Sequence, residues 1–263
     1  MKPLLIVTDM DGTLLDGNQQ ISSENERAIR SFIQSGGLFT LATGRMEAAV
    51  IPFIRQLDIT TPVILYNGAR IYCPVTKEIV YEKLLTVTAS LWQTILEALT
   101  NEFGLLVYAE NDVYSPVPNH IVREHEHKEG VRCKPWNETL ITNPITKILV
   151  IAEVPEQLHS FEKIVMDSGL SCETVYSEQN YFEILPEGAS KGTALQVLTE
   201  MLQIKELHTI AVGDNLNDIS MIQAADTGIA VANAHPELKA QADQVTVHHE
   251  QHAIAQIITE LMS

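Results

Sequence analysis

Residues 4–13 read Leu-Leu-Ile-Val-Thr-Asp-Met-Asp-Gly-Thr, an apolar run followed at once by an acidic turn. The run Leu4–Thr8 has the length and composition of a strand that is buried on both faces. Asp9 and Asp11 would then lie at the carboxyl end of this strand, where open α/β sheets place their ligands. The alternative is a plain turn, because Asp-Gly is a common turn dipeptide.

Both ends of the chain alternate short strands and helices. Ser23 and Glu26 form a capping-box pattern, and helical spacing continues to Gln34. The same rhythm predicts strands at 38–42, 63–66, 209–212 and 228–231, helices at 48–57, 191–202 and 218–224, and an edge strand at 244–247. Such alternation is typical of an α/β fold with a doubly wound parallel sheet.

The middle of the chain has a different pattern. Two amphipathic helical stretches, about Thr88–Phe103 and Pro155–Ser168, lie among strand-like runs. These runs are Leu105–Ala109, Ile145–Ile151, Ser171–Tyr176 and Tyr181–Leu185. The mixture predicts an α+β domain inserted between two halves of the core. The predicted domains are therefore a core of residues 1–82 and 189–263 and an inserted domain of residues 83–188.

The composition narrows the range of partners. The formal net charge of the 263 residues is −17, which argues against nucleic acid, because binding its backbone needs clustered lysine and arginine. The longest apolar runs are too short to cross a bilayer, so no membrane partner is expected. Cys73, Cys133 and Cys172 lack a C-x-x-C pattern, which favours reduced thiols in a cytoplasmic protein. Any phosphate site in so acidic a chain needs its own local positive charge.

A second acidic turn follows a second apolar run. Gly213-Asp214-Asn215-Leu216-Asn217-Asp218 comes directly after Ile210–Val212 and before a predicted helix. Because parallel strands present their carboxyl ends at one edge of a sheet, Asp9 and Asp214 are expected to converge. Magnesium suits such a site, since it takes a few carboxylate or carbonyl oxygens and completes its coordination with water and phosphate. Two unrelated acidic turns are the alternative.

Two further segments supply groups that suit phosphate. Thr43-Gly44-Arg45 follows the run Leu38–Ala42, so a hydroxyl, a bare backbone N–H and a helix N-terminus coincide there. Lys191, just after Ser190 at the start of a helix, offers a fixed positive charge. Each segment alone is weak evidence, because Thr-Gly is a common strand exit and a single lysine is usually solvated. Their order along the chain, together with the acidic turns, carries the argument.

That order resembles the haloacid dehalogenase (HAD) superfamily. Its four motifs, Asp-x-Asp-Gly-Thr, Thr-Gly-Arg, Lys and Gly-Asp-x-x-x-Asp, are all present in sequence order. Asn67-Gly68-Ala69, the long insertion and Gly188–Gly192 resemble the Cof-type phosphatases with a C2B cap. The resemblance spans essentially the whole chain. It implies a Rossmann-like HAD core and a C2B-type cap domain at residues 83–188.

The resemblance also implies a chemical role for three residues. Asp9 would attack phosphorus and form an aspartyl-phosphate, while Lys191 would neutralise charge on Asp9 and on the phosphate. Asp11 would protonate the leaving alkoxide and then deprotonate the water that hydrolyses the intermediate. Because dehalogenases of the superfamily lack the acid at Asp11, carbon–halogen chemistry is not expected. These roles agree with the needs of phosphoryl transfer, which are alignment and charge neutralisation.

Binding roles are implied in the same way. The groups that would hold the phosphoryl oxygens are Thr43, the backbone N–H groups of Met10 and Gly44, Lys191 and Asn217. The groups that would bind magnesium (Mg²⁺) are the carboxylates of Asp9 and Asp214 and the backbone carbonyl of Asp11. Asp218 would orient Lys191 or a metal-bound water.

The implied substrates are small phosphorylated metabolites, namely sugar phosphates, nucleotide or flavin-pathway phosphates, or pyridoxal phosphate. A phosphomutase or phosphotransferase of the same superfamily is the nearest alternative, because some C2B-capped relatives pass the phosphoryl group to a sugar. A receiver-type signalling module also joins acidic residues, a threonine and a lysine around magnesium. A receiver is much shorter, however, and needs no acidic loop after Lys191. The sequence carries no signal for an oligomeric state.

Two histidine-containing segments invite a metal interpretation. Where many Cof-like chains carry Asp-Gly, this one has His248-His249-Glu250-Gln251-His252. His248 and His252 would bind a metal if they lay four residues apart on a helix. A solvated surface segment is the favoured interpretation, and the same holds for His125 and His127 in the charged run Arg123–Lys128.

Overall fold

The computed structural model describes residues 3–262, apart from the side chains of Glu138 and Ile141. Its α-helices are Ser23–Gln34 (α1), Glu47–Leu57 (α2), Ala89–Ala98 (α3), His120–Glu129 (α4), Leu158–Ser168 (α5), Lys191–Leu202 (α6), Ile219–Ala224 (α7), Pro236–Gln241 (α8) and Ala253–Met262 (α9). Its strands are Leu4–Thr8 (β1), Leu38–Leu41 (β2), Val63–Leu65 (β3), Arg70–Cys73 (β4), Glu78–Glu82 (β5), Phe103–Ala109 (β6), Asp112–Ser115 (β7), Lys134–Pro135 (β8), Lys147–Ala152 (β9), Cys172–Glu178 (β10), Tyr181–Pro186 (β11), His208–Gly213 (β12), Thr227–Ala230 (β13) and Gln244–Val245 (β14). No helix within residues 3–262 is long and apolar enough to span a membrane.

These elements belong to two compact units. The core unit comprises the described residues up to Met46, Val50–Tyr81 and those from Ser190 onward. The insertion unit comprises Glu47–Ala49 and Glu82–Ala189. Each unit has its own sheet and its own buried apolar residues.

A five-stranded parallel sheet organises the core unit. Its strand order is β14-β13-β12-β1-β2, and every neighbouring pair is parallel. β1 is the apolar run that precedes Asp9, and it pairs with β12 in the register Leu4 to His208 and Thr8 to Val212. The predicted parallel α/β fold is confirmed. Because all five strands run the same way, the loops after β1, β2, β12 and β13 emerge at one edge of the sheet.

The first helix of the core unit begins one residue earlier than the predicted capping box implies. Ser22 is the N-cap, and its hydroxyl accepts a hydrogen bond from the backbone N–H of Asn25 at 3.2 Å. The predicted pairing of Ser23 with Glu26 is therefore wrong. The buried stripe of α1 includes Ile29 and Phe32, which is the face that the apolar spacing predicted.

A small three-stranded sheet with the order β3-β4-β5 completes the core unit, and the pattern of the sequence did not predict its last two strands. A tight turn, Tyr66–Gly68, connects β3 to β4, and all three of its residues have positive φ. At Gly68, with φ of +99°, an added Cβ would lie 2.0 Å from the carbonyl oxygen of Ser190. Only glycine fits there. The turn can therefore pack directly against the backbone of Ser190, the residue before Lys191.

The insertion unit is built on a six-stranded sheet with the order β10-β11-β9-β6-β7-β8. Apolar side chains from α3, α5 and the central strands form one buried cluster that includes Trp92, Phe161 and Phe182. The predicted helix Thr88–Phe103 is too long, since α3 ends at Ala98 and Phe103 already starts β6. Leu99 leaves the helical region with ψ of 129°, which ends the helix.

Helix α4 corrects the interpretation of the charged run Arg123–Lys128. Asn119 caps its start by accepting from the N–H of Val122, and Gly130 ends it in the left-handed conformation. His127 is exposed as expected, but His125 is only 4% exposed. The hydroxyl of Tyr108 lies 2.9 Å from Nε2 of His125, and that of Tyr181 lies 3.2 Å from Nδ1. His125 lies on the apolar face of α4, so two hydrogen bonds replace the water that a surface histidine would have.

Candidate active site

Three aspartates from separate positions in the sequence meet at the carboxyl edge of the parallel sheet. Asp9 directly follows β1, and its N–H donates to the carbonyl of Val212 at 2.9 Å. Asp214 and Asp218 lie in the loop after β12. One carboxylate oxygen from each aspartate lies within 4.8 Å of the other two. The structure thus brings together the two acidic turns that the sequence singled out.

Lys191 is the counter-charge in this cluster. Its ammonium lies 2.6 Å from Oδ1 of Asp9 and 2.6 Å from Oδ1 of Asp218, and its side chain is completely buried. Ser190 places it by capping α6, because the serine hydroxyl accepts from the N–H of Thr193. Burial lowers the pKa of Lys191, but the two carboxylates raise it more, so its pKa lies above the ordinary value. The two carboxylates therefore favour the charged form of the lysine.

One lysine does not neutralise this many carboxylates. Burial raises the pKa of Asp9 well above its ordinary value, Lys191 lowers it, and the neighbouring carboxylates raise it further. Burial and the charge of Asp218 raise the pKa of Asp214 to about 7. Both shifts mean that burial and the neighbouring carboxylates disfavour the charged forms, so these two carboxylates would need a further cationic partner to stay ionised. A divalent cation would supply that partner, and an all-oxygen donor set is the one that hard cations bind.

Asp218 differs from the other two aspartates because both of its oxygens already have protein partners. Oδ1 pairs with Lys191, and Oδ2 accepts from the N–H groups of Asp214 at 2.9 Å and Asn215 at 3.2 Å. Asp218 therefore fixes the lysine and the backbone of its own loop. This leaves the carboxylates of Asp9 and Asp214 as the groups best suited to hold a divalent metal ion.

The turn after Asp9 wraps around Asp214. The hydroxyl of Thr13 donates to Oδ1 of Asp214 at 3.0 Å. Gly12 has φ of +77°, and an added Cβ would lie 2.5 Å from Oδ2 of Asp214. A side chain at position 12 would therefore both strain the backbone and push against this carboxylate.

Replacing Gly12 with alanine should lower both stability and activity, whereas Gly36→Ala should lower stability alone. Gly36 has φ of +96° but no neighbour within 4 Å of an added Cβ, so it reports the backbone strain without the clash. Gly36→Ala should lose about 1–2 kcal/mol of unfolding free energy, and Gly12→Ala at least as much, because its clash adds to the strain. Only Gly12→Ala should lose turnover, by roughly 100-fold. Equal activities of the two variants, measured by phosphate release, would contradict this account of Gly12.

The catalytic acid that the resemblance implies, Asp11, is held by Arg45. Nε of Arg45 lies 2.9 Å from Oδ2 of Asp11, and Nη2 lies 2.6 Å from Oδ1, which is a two-pronged ion pair. The Arg45 side chain is 5% exposed and also donates to Gln19. Sequence reasoning used Arg45 only as part of a phosphate cradle and missed this partnership. The contact joins residues 34 positions apart, so no local pattern reveals it.

The other predicted phosphate-binding residues surround the same edge of the sheet. Thr43 is buried, and its hydroxyl accepts from the N–H of Arg45 at 3.2 Å. Its carbonyl accepts from the N–H of Asn67 at 2.9 Å. Asn217 donates through Nδ2 to Oδ1 of Asn67 at 3.0 Å, which leaves this amide a second N–H. Asn67, which only the family resemblance singles out in the sequence, thus connects two predicted phosphate-binding residues.

The metal interpretation of His248 and His252 is wrong. The short 3₁₀ turn His249–Gln251 separates the two residues, and His252 has φ of +60°, so they do not share a helical face. His248 accepts from the N–H of Glu250, and Nδ1 of His252 lies 2.9 Å from Oγ of Ser22. The segment is also less solvated than expected, because the His249 side chain is only 14% exposed.

Comparison with known proteins identifies the family of this chain. Residues 6–258 match the haloacid dehalogenase-like hydrolases. The chain belongs to that family. Phosphatase YwpJ of Bacillus subtilis is 30% identical in an alignment of 286 positions, gaps included. The alignment covers 98% of this chain and 99% of that protein. Pyridoxal phosphate phosphatase YbhA of Escherichia coli is 28% identical over 280 residues, which cover 98% of each protein.

Solved structures give the same result for the fold of this haloacid dehalogenase-like hydrolase. A haloacid dehalogenase-like hydrolase from Bacteroides thetaiotaomicron has a TM-score of 0.85 and 27% identity, covering 99% of this chain and 100% of that one. The prediction that this chain is an enzyme of the Cof-type phosphatases in this superfamily is confirmed. The acidic cluster and the buried lysine are the candidate active site of this hydrolase.

Proposed function

We propose that this hydrolase is a magnesium-dependent phosphatase that cleaves small phosphomonoesters through an aspartyl-phosphate on Asp9. One observation carries the proposal. Asp9 is 6% exposed, lies 2.6 Å from the ammonium of Lys191 and has a carboxylate oxygen within 4.8 Å of one from Asp214. A buried carboxylate costs free energy, and its placement between a fixed cation and a second carboxylate suits a nucleophile in phosphoryl transfer.

The proposed reaction has two covalent steps, and both use the carboxyl groups of Asp9 and Asp11. An oxygen of Asp9 forms a bond to phosphorus while the bond from phosphorus to the ester oxygen breaks. The leaving oxygen takes a proton from the carboxyl group of Asp11. In the second step Asp11 takes a proton from water, whose oxygen attacks phosphorus and releases Asp9. The guanidinium of Arg45 donates to both oxygens of Asp11, which holds this carboxyl group in one orientation.

Charge neutralisation is the second requirement, and several groups of this chain meet it. Lys191 faces the nucleophile and would balance charge that the phosphoryl group brings. The hydroxyl of Thr43, the backbone N–H groups of Met10 and Gly44, and the amide of Asn217 would hold the phosphoryl oxygens. Asp218 keeps Lys191 in position through its 2.6 Å ion pair.

Magnesium is the proposed metal ion. The carboxylates of Asp9 and Asp214, with the backbone carbonyl of Asp11, would hold it, because oxygen donors in small number are what magnesium selects. When bound, magnesium neutralises charge on the phosphoryl oxygens and on the nucleophile. The raised pKa values of Asp9 and Asp214 support the need for such a cation.

Small phosphorylated metabolites are the proposed substrates. The Escherichia coli relative is named a pyridoxal phosphate phosphatase, and a relative from Cronobacter sakazakii is named an HMP-PP phosphatase. We propose that residues 83–188 form the cap that selects among such molecules. Phosphate release from a panel of sugar, nucleotide, flavin-pathway and pyridoxal phosphates tests the assignment. Transfer of the phosphoryl group to a sugar instead of water would indicate a phosphotransferase.

Metal removal should abolish activity. A chelator in excess should stop phosphate release, magnesium should restore it, and calcium should inhibit, because its longer and looser coordination misaligns the attack. Asp214→Asn should raise the magnesium concentration needed for half-maximal activity by at least about tenfold. Asp167→Asn, which alters an exposed aspartate paired with Lys163, is the matched control and should leave this concentration unchanged. Full activity in excess chelator would refute the proposed metal dependence.

A further inference from the structure

Two residues outside the four motifs hold the turn that carries Asp11. Asn233 follows β13, and its Nδ2 donates to the carbonyl of Gly12 at 2.7 Å. His249 lies in the segment before α9, and its Nδ1 lies 2.8 Å from the carbonyl of Leu15. We refer to Asn233 and His249 together as the loop clamp. Neither residue is among the proposed catalytic, phosphate-binding or metal-binding groups.

The orientation of the Asn233 amide is fixed by its second partner. The backbone N–H of His249 lies 3.1 Å from Oδ1 of Asn233, and a backbone N–H can only donate. The oxygen of the amide must therefore face His249, and the nitrogen must face the carbonyl of Gly12. A carbonyl can only accept, so both ends of the amide agree on one orientation.

The imidazole of His249 is constrained by the same reasoning. Its Nδ1 faces a carbonyl oxygen, so Nδ1 must carry the proton and donate. The neighbouring Glu250 adds a third tie, since its Oε1 accepts from the N–H of Gly17 at 2.8 Å. The loop from Gly12 to Gly17 is thus bound at three points to segments that follow β13 and β14.

The Gly12–Thr13 peptide is the point where such a hold matters. Asp11 precedes it, and Thr13, whose hydroxyl binds Asp214, follows it. Gly12 has no Cβ and a φ of +77°, so rotation about its backbone bonds is less restricted than at any other type of residue. A rotation there would move the carboxylate of Asp11 and the hydroxyl of Thr13 together. The hydrogen bond from Asn233 opposes that rotation.

We propose that Asn233 and His249 are positioning residues that hold the Gly12–Thr13 peptide so that Asp11 meets the leaving oxygen. The inference rests on the proposed function, in which Asp11 protonates that oxygen. A misplaced acid slows the departure of a poor leaving group far more than that of a good one, because a good one departs without a proton. Lost stability alone would slow both equally.

The test compares an alkyl phosphate with 2,4-dinitrophenyl phosphate as substrates of Asn233→Asp. This variant keeps an oxygen for the N–H of His249 but loses the donor to Gly12. We expect kcat/KM, which reports formation of the aspartyl-phosphate and not its later hydrolysis, to fall by about 100-fold on the alkyl ester and by less than about fivefold on the dinitrophenyl ester. Asn233→Ala should show the same contrast, which excludes the added charge as the cause. Gln196→Glu, the same amide-to-carboxylate change at an exposed position of α6, should leave both rates unchanged.

The histidine is tested by replacement and rescue. His249→Ala should show a smaller loss with the same contrast, and His249→Asn should restore activity, because the asparagine amide places a donor close to the former Nδ1. His208→Ala is the control, since His208 begins β12 at the end of the strand away from the site, and its Nε2 lies 3.1 Å from the hydroxyl of Thr227. Equal rates for the alanine and asparagine variants would overturn the role of the imidazole.

Asp11→Asn separates this inference from the function on which it rests. If Asp11→Asn shows the contrast and the Asn233 variants do not, the loop clamp is wrong and the proposed function stands. If Asp11→Asn lowers kcat/KM equally on both substrates, Asp11 is not the acid, and both the acid step and the inference are overturned.

Discussion

Replacing Asp9 with asparagine should lower turnover by at least about 1,000-fold on every phosphomonoester that the enzyme hydrolyses. The amide keeps the shape of the side chain but cannot attack phosphorus, and it is a poorer magnesium ligand. Stability should not fall comparably, because burial already raises the pKa of Asp9 and a neutral group removes that cost. Steady-state kinetics with excess magnesium, together with chemical denaturation, measure both effects.

Asp58→Asn is the matched control for this result. Asp58 ends α2 in the left-handed conformation, which asparagine tolerates, and its exposed carboxylate lies 3.2 Å from Arg30. The control should keep full activity. Acid-quenched wild-type enzyme should also carry phosphate on Asp9, as mass spectrometry of the peptide would show. Substantial turnover by carefully purified Asp9→Asn would exclude an aspartyl-phosphate mechanism.

Replacing Lys191 with methionine should cause the largest loss of stability and also abolish activity. The variant leaves Asp9 and Asp218 buried without their shared cation. Breaking a buried ion pair on one side costs about 3–5 kcal/mol of unfolding free energy. Chemical denaturation in the presence of a chelator measures this loss without help from a bound metal ion.

A second substitution separates the electrostatic cause from a packing defect. Lys191→Met combined with Asp218→Asn should recover part of the lost stability, because the asparagine oxygen can still accept from the N–H groups of Asp214 and Asn215. Activity should stay low in the double variant. Lys163→Met, which removes an exposed lysine, should not change stability measurably. No recovery in the double variant would show that buried charge is not the cause.

The parts of the site that the sequence predicted are those that depend on position after a strand. Asp9 and Asp214 follow apolar runs that pair as parallel neighbours, so their convergence follows from strand direction alone. The α/β class of the core follows from the same alternation. Boundaries were less certain, as α3 shows, because the helical spacing continued past the residue where the backbone turns.

The parts that the sequence did not predict depend on contacts between distant residues. The ion pair of Arg45 with Asp11 and the hydrogen bond of Asn233 with Gly12 join residues 34 and 221 positions apart. Neither contact has a local pattern, and the second involves only a backbone oxygen on one side. The prediction that His125 is solvated is wrong, because its charged neighbours in the sequence give no sign of the apolar face of α4. That face includes Ile121 and Val122.

The closeness of Gly68 to Ser190 has an evolutionary consequence. The turn after β3 leaves no room for a methyl group against the carbonyl that precedes Lys191. A residue with no chemical role of its own therefore constrains the place of the buried cation. Gly68 can therefore be replaced during evolution only if the start of α6 shifts at the same time.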